Sequence, residues 1–208
     1  MNVNEIFYSI DGEGIRTGAP AVFIRLTGCN LRCGYCDTAY AFNDGSEMSE
    51  SEIIDAVKQY KCKNVTVTGG EPLLQGRELI KKLCRLGYNV NVETNGSLPI
   101  NDIQHANAII TMDYKTPSSL MESKMRLQNI SILREQDVLK FVCNKEDLKT
   151  VKRICEEYNP KCYIYISPVF GECEPLDIVE FVKEMNNPKI RAQIQLHKII
   201  WKPNERGV

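Results

Sequence analysis

A regular alternation of short β-rich runs with amphipathic segments constrains this chain more than any other feature. Candidate strands occupy residues 3–10, 21–26, 64–68, 89–93, 108–112, 138–142, 163–166 and 190–195. Several read as apolar on both faces, the pattern of parallel strands covered by helices. Between them, residues 49–60 open with Ser49-Glu50-Ser51-Glu52, a capping-box pattern, and continue with Ile53, Ile54 and Val57 on one face. Residues 75–86 carry Leu79, Ile80 and Leu83 at helical spacing, and Gly87 is placed to end that helix. Residues 145–158 and 175–185 are similar, and residues 121–130 are less regular. This order predicts an α/β fold built on a parallel sheet. With no repeat, low-complexity tract or long linker, residues 1–208 read as a single domain.

In such folds ligands collect at the carboxyl ends of the strands. Three polar turns follow strands directly: Thr68-Gly69-Gly70-Glu71-Pro72, Glu93-Thr94-Asn95-Gly96 and Ser167-Pro168-Val169-Phe170-Gly171. All three are expected at one mouth, which locates a site before any chemistry is assigned.

Charge and cysteine usage narrow the class. Lys and Arg number 26 against 27 Asp and Glu, so there is no polybasic footprint for nucleic acid or a membrane surface. No apolar run is long enough to span a bilayer, and the start of the chain lacks a basic segment followed by an apolar one. A cytoplasmic protein with reduced thiols is therefore expected. Its nine cysteines are an odd number, and a tight cluster among them points to metal or catalysis rather than disulfides.

That cluster is Gly28-Cys29-Asn30-Leu31-Arg32-Cys33-Gly34-Tyr35-Cys36, three thiols within eight residues just after a strand. Thiolates ligate zinc or iron–sulfur clusters. Zinc wants a fourth ligand, yet His105 and His197 are far along the chain and Cys62 reads as a packed thiol. Three ligands without a local fourth suit a [4Fe–4S] cluster with one iron left open. The two glycines of Thr68-Gly69-Gly70-Glu71-Pro72 permit close backbone approach to a ligand; the other reading is a plain β-to-α turn. Cys62, Cys84, Cys143, Cys155, Cys162 and Cys173 have no ligand spacing and read as small packed residues, with Cys173 placed near the expected mouth.

Cys-x3-Cys-x2-Cys at a strand end, together with the Gly-Gly-Glu-Pro turn, resembles the signature of radical S-adenosylmethionine (SAM) enzymes. That resemblance implies a partial, open parallel β/α barrel. Ser9-Ile10-Asp11-Gly12-Glu13-Gly14, Phe23-Ile24-Arg25-Leu26-Thr27-Gly28, Asp37-Thr38 and Gln195-Leu196-His197 extend it end to end. Together they resemble the 7-carboxy-7-deazaguanine synthase family of queuosine-precursor biosynthesis. The resemblance implies 6-carboxy-5,6,7,8-tetrahydropterin as substrate, a [4Fe–4S] cluster, SAM and Mg2+ as cofactors, a flavodoxin-like or other low-potential electron donor, and a homodimer.

Residue by residue, the resemblance places the cluster on Cys29, Cys33 and Cys36 and Mg2+ on Thr38. SAM contacts fall on Tyr35, Cys36, Asp37, Gly70, Glu71, Asp113, Tyr114, Lys115, Ser167, Pro168, Val169 and Phe170. Substrate contacts fall on Ile10, Asp11, Gly12, Glu13, Arg25, Thr68, Gln195, His197 and Val208. Each has a plainer reading. Arg25 suits an anionic carboxylate but equally a surface ion pair. Thr38 suits a hard cation but equally a helix cap. Gln195 and His197 read as residues of a late strand. Asp11 stands where the family commonly carries Gln, which keeps an acceptor but loses an amide donor. Two rival functions stay open: a glycyl-radical-activating radical SAM enzyme with a protein substrate, and a non-enzymatic iron–sulfur or zinc module.

Overall fold

The computed structural model describes residues 1–202 and 205–208. Nine strands form one sheet in the order β3-β1-β2-β4-β5-β6-β7-β8-β9. In chain order, β1 is Asn2–Ile10, β2 Pro20–Leu26, β3 Ser46–Glu47, α1 Glu50–Gln59 and β4 Asn64–Gly69. Next come α2 Arg77–Arg85, β5 Asn89–Thr94, β6 Ala108–Tyr114, α3 Gln128–Ile132 and β7 Val138–Cys143. The series closes with α4 Leu148–Tyr158, β8 Tyr163–Pro168, α5 Pro175–Met185, β9 Ile190–Ala192 and α6 Leu196–Ile200. From β2 onward the neighbouring strands are parallel, whereas β1 pairs antiparallel with β2 and with β3. The sheet is thus open with the parallel body that the alternation predicts, extended at one edge by the antiparallel β1 and β3.

Local chemistry sets the element boundaries. The N-terminus of α1 is a capping box: Ser49 Oγ accepts from Glu52 N at 3.3 Å, and Ser49 N donates to Glu52 Oε2 at 2.8 Å. Such a cap stabilises a helix by about 1 kcal/mol. Helix α2 ends just before Gly87, whose φ of +77° is the left-handed value that glycine adopts without penalty. Helix α5 opens with Pro175 in its first turn, where a missing N–H costs nothing.

The strands are not apolar on both faces. One face carries Ile24, Val65, Val67, Val90, Val92, Ile110, Leu139, Phe141 and Ile166, all buried, beneath the helices. The other carries Arg25, Thr66, Thr68, Asn91, Glu93, Thr111, Asp113 and Lys140, which the period-two alternation of a strand puts on the opposite side. Registers bring Arg25 beside Thr68, Thr66 beside Asn91, Glu93 beside Thr111 and Asp113 beside Lys140. The inner face of the curved sheet is therefore polar because it walls a cavity rather than a core.

Two segments depart from expectation. Residues 121–130 make no continuous helix: a 3-10 turn at Glu122–Lys124 and the short α3 flank an extended Met125. Asn129 of α3 donates to the Gly96 and Leu98 carbonyls at 3.0 and 2.8 Å, so the segment clamps the loop after β5. The last strand stops at Ala192, so Gln195 precedes α6 and His197 lies within it. Just past the strand, Gln193 N still donates to Ile166 O at 2.9 Å, while its side chain turns to the loop after β1, accepting from Gly14 N at 2.8 Å and donating to Thr17 Oγ1 at 2.7 Å.

Candidate active site

A cavity of about 470 Å3 opens at the carboxyl ends of the parallel strands. It brings together Ile10, Asp11, Gly12, Glu13, Arg25, Cys29, Cys33, Tyr35, Cys36, Asp37 and Thr38 from the first third of the chain. Thr68, Gly70, Asp113, Lys115, Gln195, His197 and Val208 complete the set of sequence-designated residues along its wall.

The cysteine loop is shaped by the turn after β4. Gly70 N donates to Leu26 O at 3.1 Å and Glu71 N to Gly28 O at 2.8 Å. A Cβ on Gly70 would lie 2.1 Å from Gly28 O and 2.8 Å from Cys29 Cβ. The close approach that demands glycine here is thus to the cysteine loop itself. Cys29 Sγ accepts from Leu31 N at 3.4 Å and from Asn95 Nδ2 at 3.8 Å. Burial pushes the Cys33 and Cys36 thiols above their usual range, so their thiolates call for a cationic partner. Among the described residues no three metal-ligating side chains converge on one ion position. A single zinc would need donors about 2.3 Å from one point. The three unpaired thiols of this one loop all border the cavity, and they are the residues that would hold a cluster.

Tyr35 ties this loop to β7: its hydroxyl donates to Val142 O at 3.0 Å, and burial pushes its pKa up to about 12. Thr38 precedes a 3-10 turn, Ala39–Phe42, without capping it, and its hydroxyl donates to Asp37 Oδ1 at 2.9 Å. Asp37 in turn pairs with Lys198 of α6 at 2.8 Å.

Arg25 is an internal group, not a surface one. Its Nε donates to Glu5 Oε1 at 2.7 Å, and the guanidinium carbon sits 5.7 Å from the ring centres of both Phe7 and Tyr40. Asp11 is buried with both oxygens engaged, accepting from Arg16 Nε at 2.8 Å and from Thr66 Oγ1 at 2.6 Å. These bonds anchor the loop and fix the carboxylate at the cavity wall. Gly12 packs on His197 so closely that a Cβ would meet Nδ1 at 2.3 Å. Burial lowers the His197 pKa, which favours the neutral ring at pH 7.

The cavity floor holds a charge cluster. Lys140 lies 3.0 Å from Glu13 Oε2, 3.5 Å from Asp113 Oδ2 and 3.6 Å from Glu93 Oε2. Lys115 pairs with Asp113 at 2.8 Å. Burial, partly offset by Lys140 and reinforced by Glu13, raises the Glu93 pKa to about 7. Burial works to discharge Lys115, but Asp113 and Cys33 outweigh it and hold the ammonium charged. Glu13 Oε1, Asp113 Oδ1 and Gln195 Oε1 are buried with no hydrogen-bond partner among the described residues. These are acceptors that a bound ligand would complete.

Six designated residues fall elsewhere. The Glu71 carboxylate is fully buried and accepts from Leu73 N, Thr94 Oγ1 and Asn95 N at 3.0, 2.9 and 2.7 Å, so its side chain locks one turn to the next. The Tyr114 ring faces the core beside Phe141, since it is one residue out of phase with Asp113. Ser167 and Pro168 end β8, Val169 is buried and Phe170 is half exposed; none of the four walls the cavity. Cys173 is buried and also absent from it. Glu93 and Asn95 line the cavity as their turn predicts, though with no contact assigned to them beforehand, and Lys140 is what the sequence reading missed. A lysine inside an otherwise apolar strand was the available signal for Lys140. The tail does reach the wall, with Trp201 and Arg206 lining it and Arg206 lying 4.0 Å over the Tyr40 ring.

This arrangement defines the class. Residues 23–185 match the family model of the Radical SAM superfamily, whose members use a [4Fe–4S] cluster and SAM. A crystal structure of QueE from Escherichia coli superposes with a TM-score of 0.78 at 20% identity, covering 94% of each chain, which shows a shared fold. The 7-carboxy-7-deazaguanine synthase of Clostridium acetobutylicum is 46% identical over 99% of this chain and 98% of its own. That of Methanospirillum hungatei is 40% identical over 98% of this chain and 86% of its own. The chain belongs to the 7-carboxy-7-deazaguanine synthase family and is a radical SAM enzyme of the lyase type. No helix among the described residues is long and apolar enough to cross a membrane.

Proposed function

We propose that the protein converts 6-carboxy-5,6,7,8-tetrahydropterin to 7-carboxy-7-deazaguanine and ammonia, a rearrangement with elimination that needs no net oxidant. One observation carries this reading. The cysteine loop, Arg25 and the unpartnered Glu13 oxygen all border one cavity at the carboxyl ends of the strands.

Cys29, Cys33 and Cys36 would hold the cluster. When bound and reduced by a low-potential donor, cluster and SAM supply the hydrogen-abstracting adenosyl radical of this enzyme class. The backbone at Tyr35, Cys36, Asp37 and Gly70 borders the space beside the thiols. Asp113, with one oxygen on Lys115 and the other unpartnered, offers a carboxylate acceptor to SAM. Arg25, fixed through Nε by Glu5, offers its remaining N–H groups to the substrate carboxylate. Thr38, whose hydroxyl donates to Asp37 and keeps its oxygen lone pairs, would supply a hard oxygen donor to Mg2+. Glu13 Oε1 and Gln195 Oε1 accept from the ring's amino and N–H groups, and Thr68, Ile10 and Gly12 shape the wall beside them. Neutral His197 keeps the Gly12 loop in place. Val208 lies within reach of the same space.

Anaerobic reconstitution tests the reading. About four iron and four sulfide per chain are expected, with one ammonia released per deazaguanine formed when SAM, reductant and the carboxylated pterin are supplied. Cleavage of SAM only with a polypeptide acceptor would replace this reading with glycyl-radical activation.

A further inference from the structure

Strand β7 is buried along its whole length, and one charged residue interrupts it: Lys140, 5% exposed. A buried ammonium is costly to desolvate and is kept where carboxylates surround it. Here they come from three other segments: Glu13 from the loop after β1, Glu93 from β5 and Asp113 from β6. The contacts are unequal. Asp113 Oδ2 already takes Lys115 at 2.8 Å, and Glu93 Oε1 takes Asn91 Nδ2 at 2.8 Å. Lys140 makes its hydrogen bond to Glu13 Oε2, at 3.0 Å.

Glu13 needs that bond more than its neighbours do. It sits between Gly12 and Gly14, whose backbone is held by Leu196 N and the Gln193 side chain, but neither glycine has a side chain to brace the Glu13 carboxylate. Its second oxygen, Oε1, is buried with no partner among the described residues. An unpaired buried acceptor is unfavourable until a donor completes it. Without the ammonium, Glu13 would face Glu93 and Asp113 with Lys115 the remaining cation of the cluster, and like-charge repulsion would turn it aside.

We propose that Lys140 is a positioning residue for ring recognition: by holding Glu13 Oε2 it aims Glu13 Oε1 at the amino and ring N–H donors of the pterin. This rests on the functional reading above. It predicts that Lys140 acts through Glu13 and not through its own contact with substrate.

Binding of 6-carboxytetrahydropterin to the reconstituted, SAM-loaded protein without reductant measures this in the absence of turnover. By anaerobic calorimetry, Lys140→Met is expected to weaken binding roughly 10- to 100-fold, the range for a lost charge-assisted hydrogen bond. Lys140→Arg should recover most of it. In a Glu13→Ala background the same Lys140→Met change should cost no more than about twofold, the limit for uncoupled noise in such a cycle. Equal costs in both backgrounds would overturn the inference and assign Lys140 elsewhere. Should the methionine variant not fold, the cycle run with Lys140→Gln decides the matter on the same criterion. A wild-type protein that binds no pterin at all overturns the functional reading itself, a result distinct from an additive cycle.

Discussion

Along β7, Leu139 and Phe141 face the helices, while Lys140 between them faces the cavity. The helix side is apolar and fully buried, with Phe141 against the Tyr114 ring. The cavity side gathers lysines, carboxylates, Arg25, Arg206 and three thiols around one space. Neighbouring residues of one strand thus serve opposite ends. One side supplies the burial that stabilises the fold; the other accepts desolvation and unpaired acceptors that a ligand relieves. Stability and chemistry are separated by a single residue step, so a substitution's consequence depends on its phase in the strand.

Four substitutions break or sharpen that contrast. Cys33→Ala touches only the cavity side. It should abolish turnover, at least about 10³-fold, and empty the cluster's visible absorbance. The cluster-free proteins should melt within a few degrees of each other; a collapse of the melt would mean that the loop also supports the core. Phe141→Ala touches only the helix side. It should cost about 3–5 kcal/mol in urea denaturation, and a loss below about 1 kcal/mol would show that this face packs loosely.

Glu93→Gln tests the cavity side through pH. Burial raises the Glu93 pKa from 4.5 to about 7, so the folded protein binds its proton more tightly than the unfolded chain. The stability this proton contributes is full below pH 4.5 and is lost as pH rises to about 7. Relative to Glu93→Gln, the wild type should lose on the order of 2 kcal/mol across that window in paired denaturation curves. Parallel curves would mean that Lys140 keeps Glu93 ionised throughout. Thr38→Ala has the smallest expected effect. Its fold should be unchanged, and the Mg2+ concentration for half-maximal activity should rise about tenfold; an unmoved Mg2+ requirement would leave Thr38 as a turn residue.

Much of the framework was legible because its signals are local. The β-α alternation, the Ser49 cap, the Gly87 stop and Pro175 at the start of α5 each depend on a few adjacent residues. So does the cysteine spacing. What was misread involves partners far along the chain. Gly69-Gly70 reads as a ligand cradle and lines the cavity, but the close approaches that exclude a side chain are those of Gly69 to Leu26 and of Gly70 to Gly28 and Cys29. Glu71 reads as a ligand contact, but its oxygens serve Thr94 and Asn95. Residues 190–195 read as one strand, but the strand stops at Ala192 and the Gln193 side chain holds a loop 179 positions earlier.

The amino-acid order alone determined most of the strands and helices, which loop carries the thiols, and that the strand ends hold the site, because propensity, capping and spacing act over one or two turns of chain. Only the tertiary structure decided that Lys140 meets Glu13 across 127 positions, that Tyr114 turns from the cavity while Asp113 turns toward it, and that Asp11 accepts from Arg16 and Thr66. Those outcomes depend on strand register and sheet curvature, which bring distant side chains within hydrogen-bond reach only after the chain has folded.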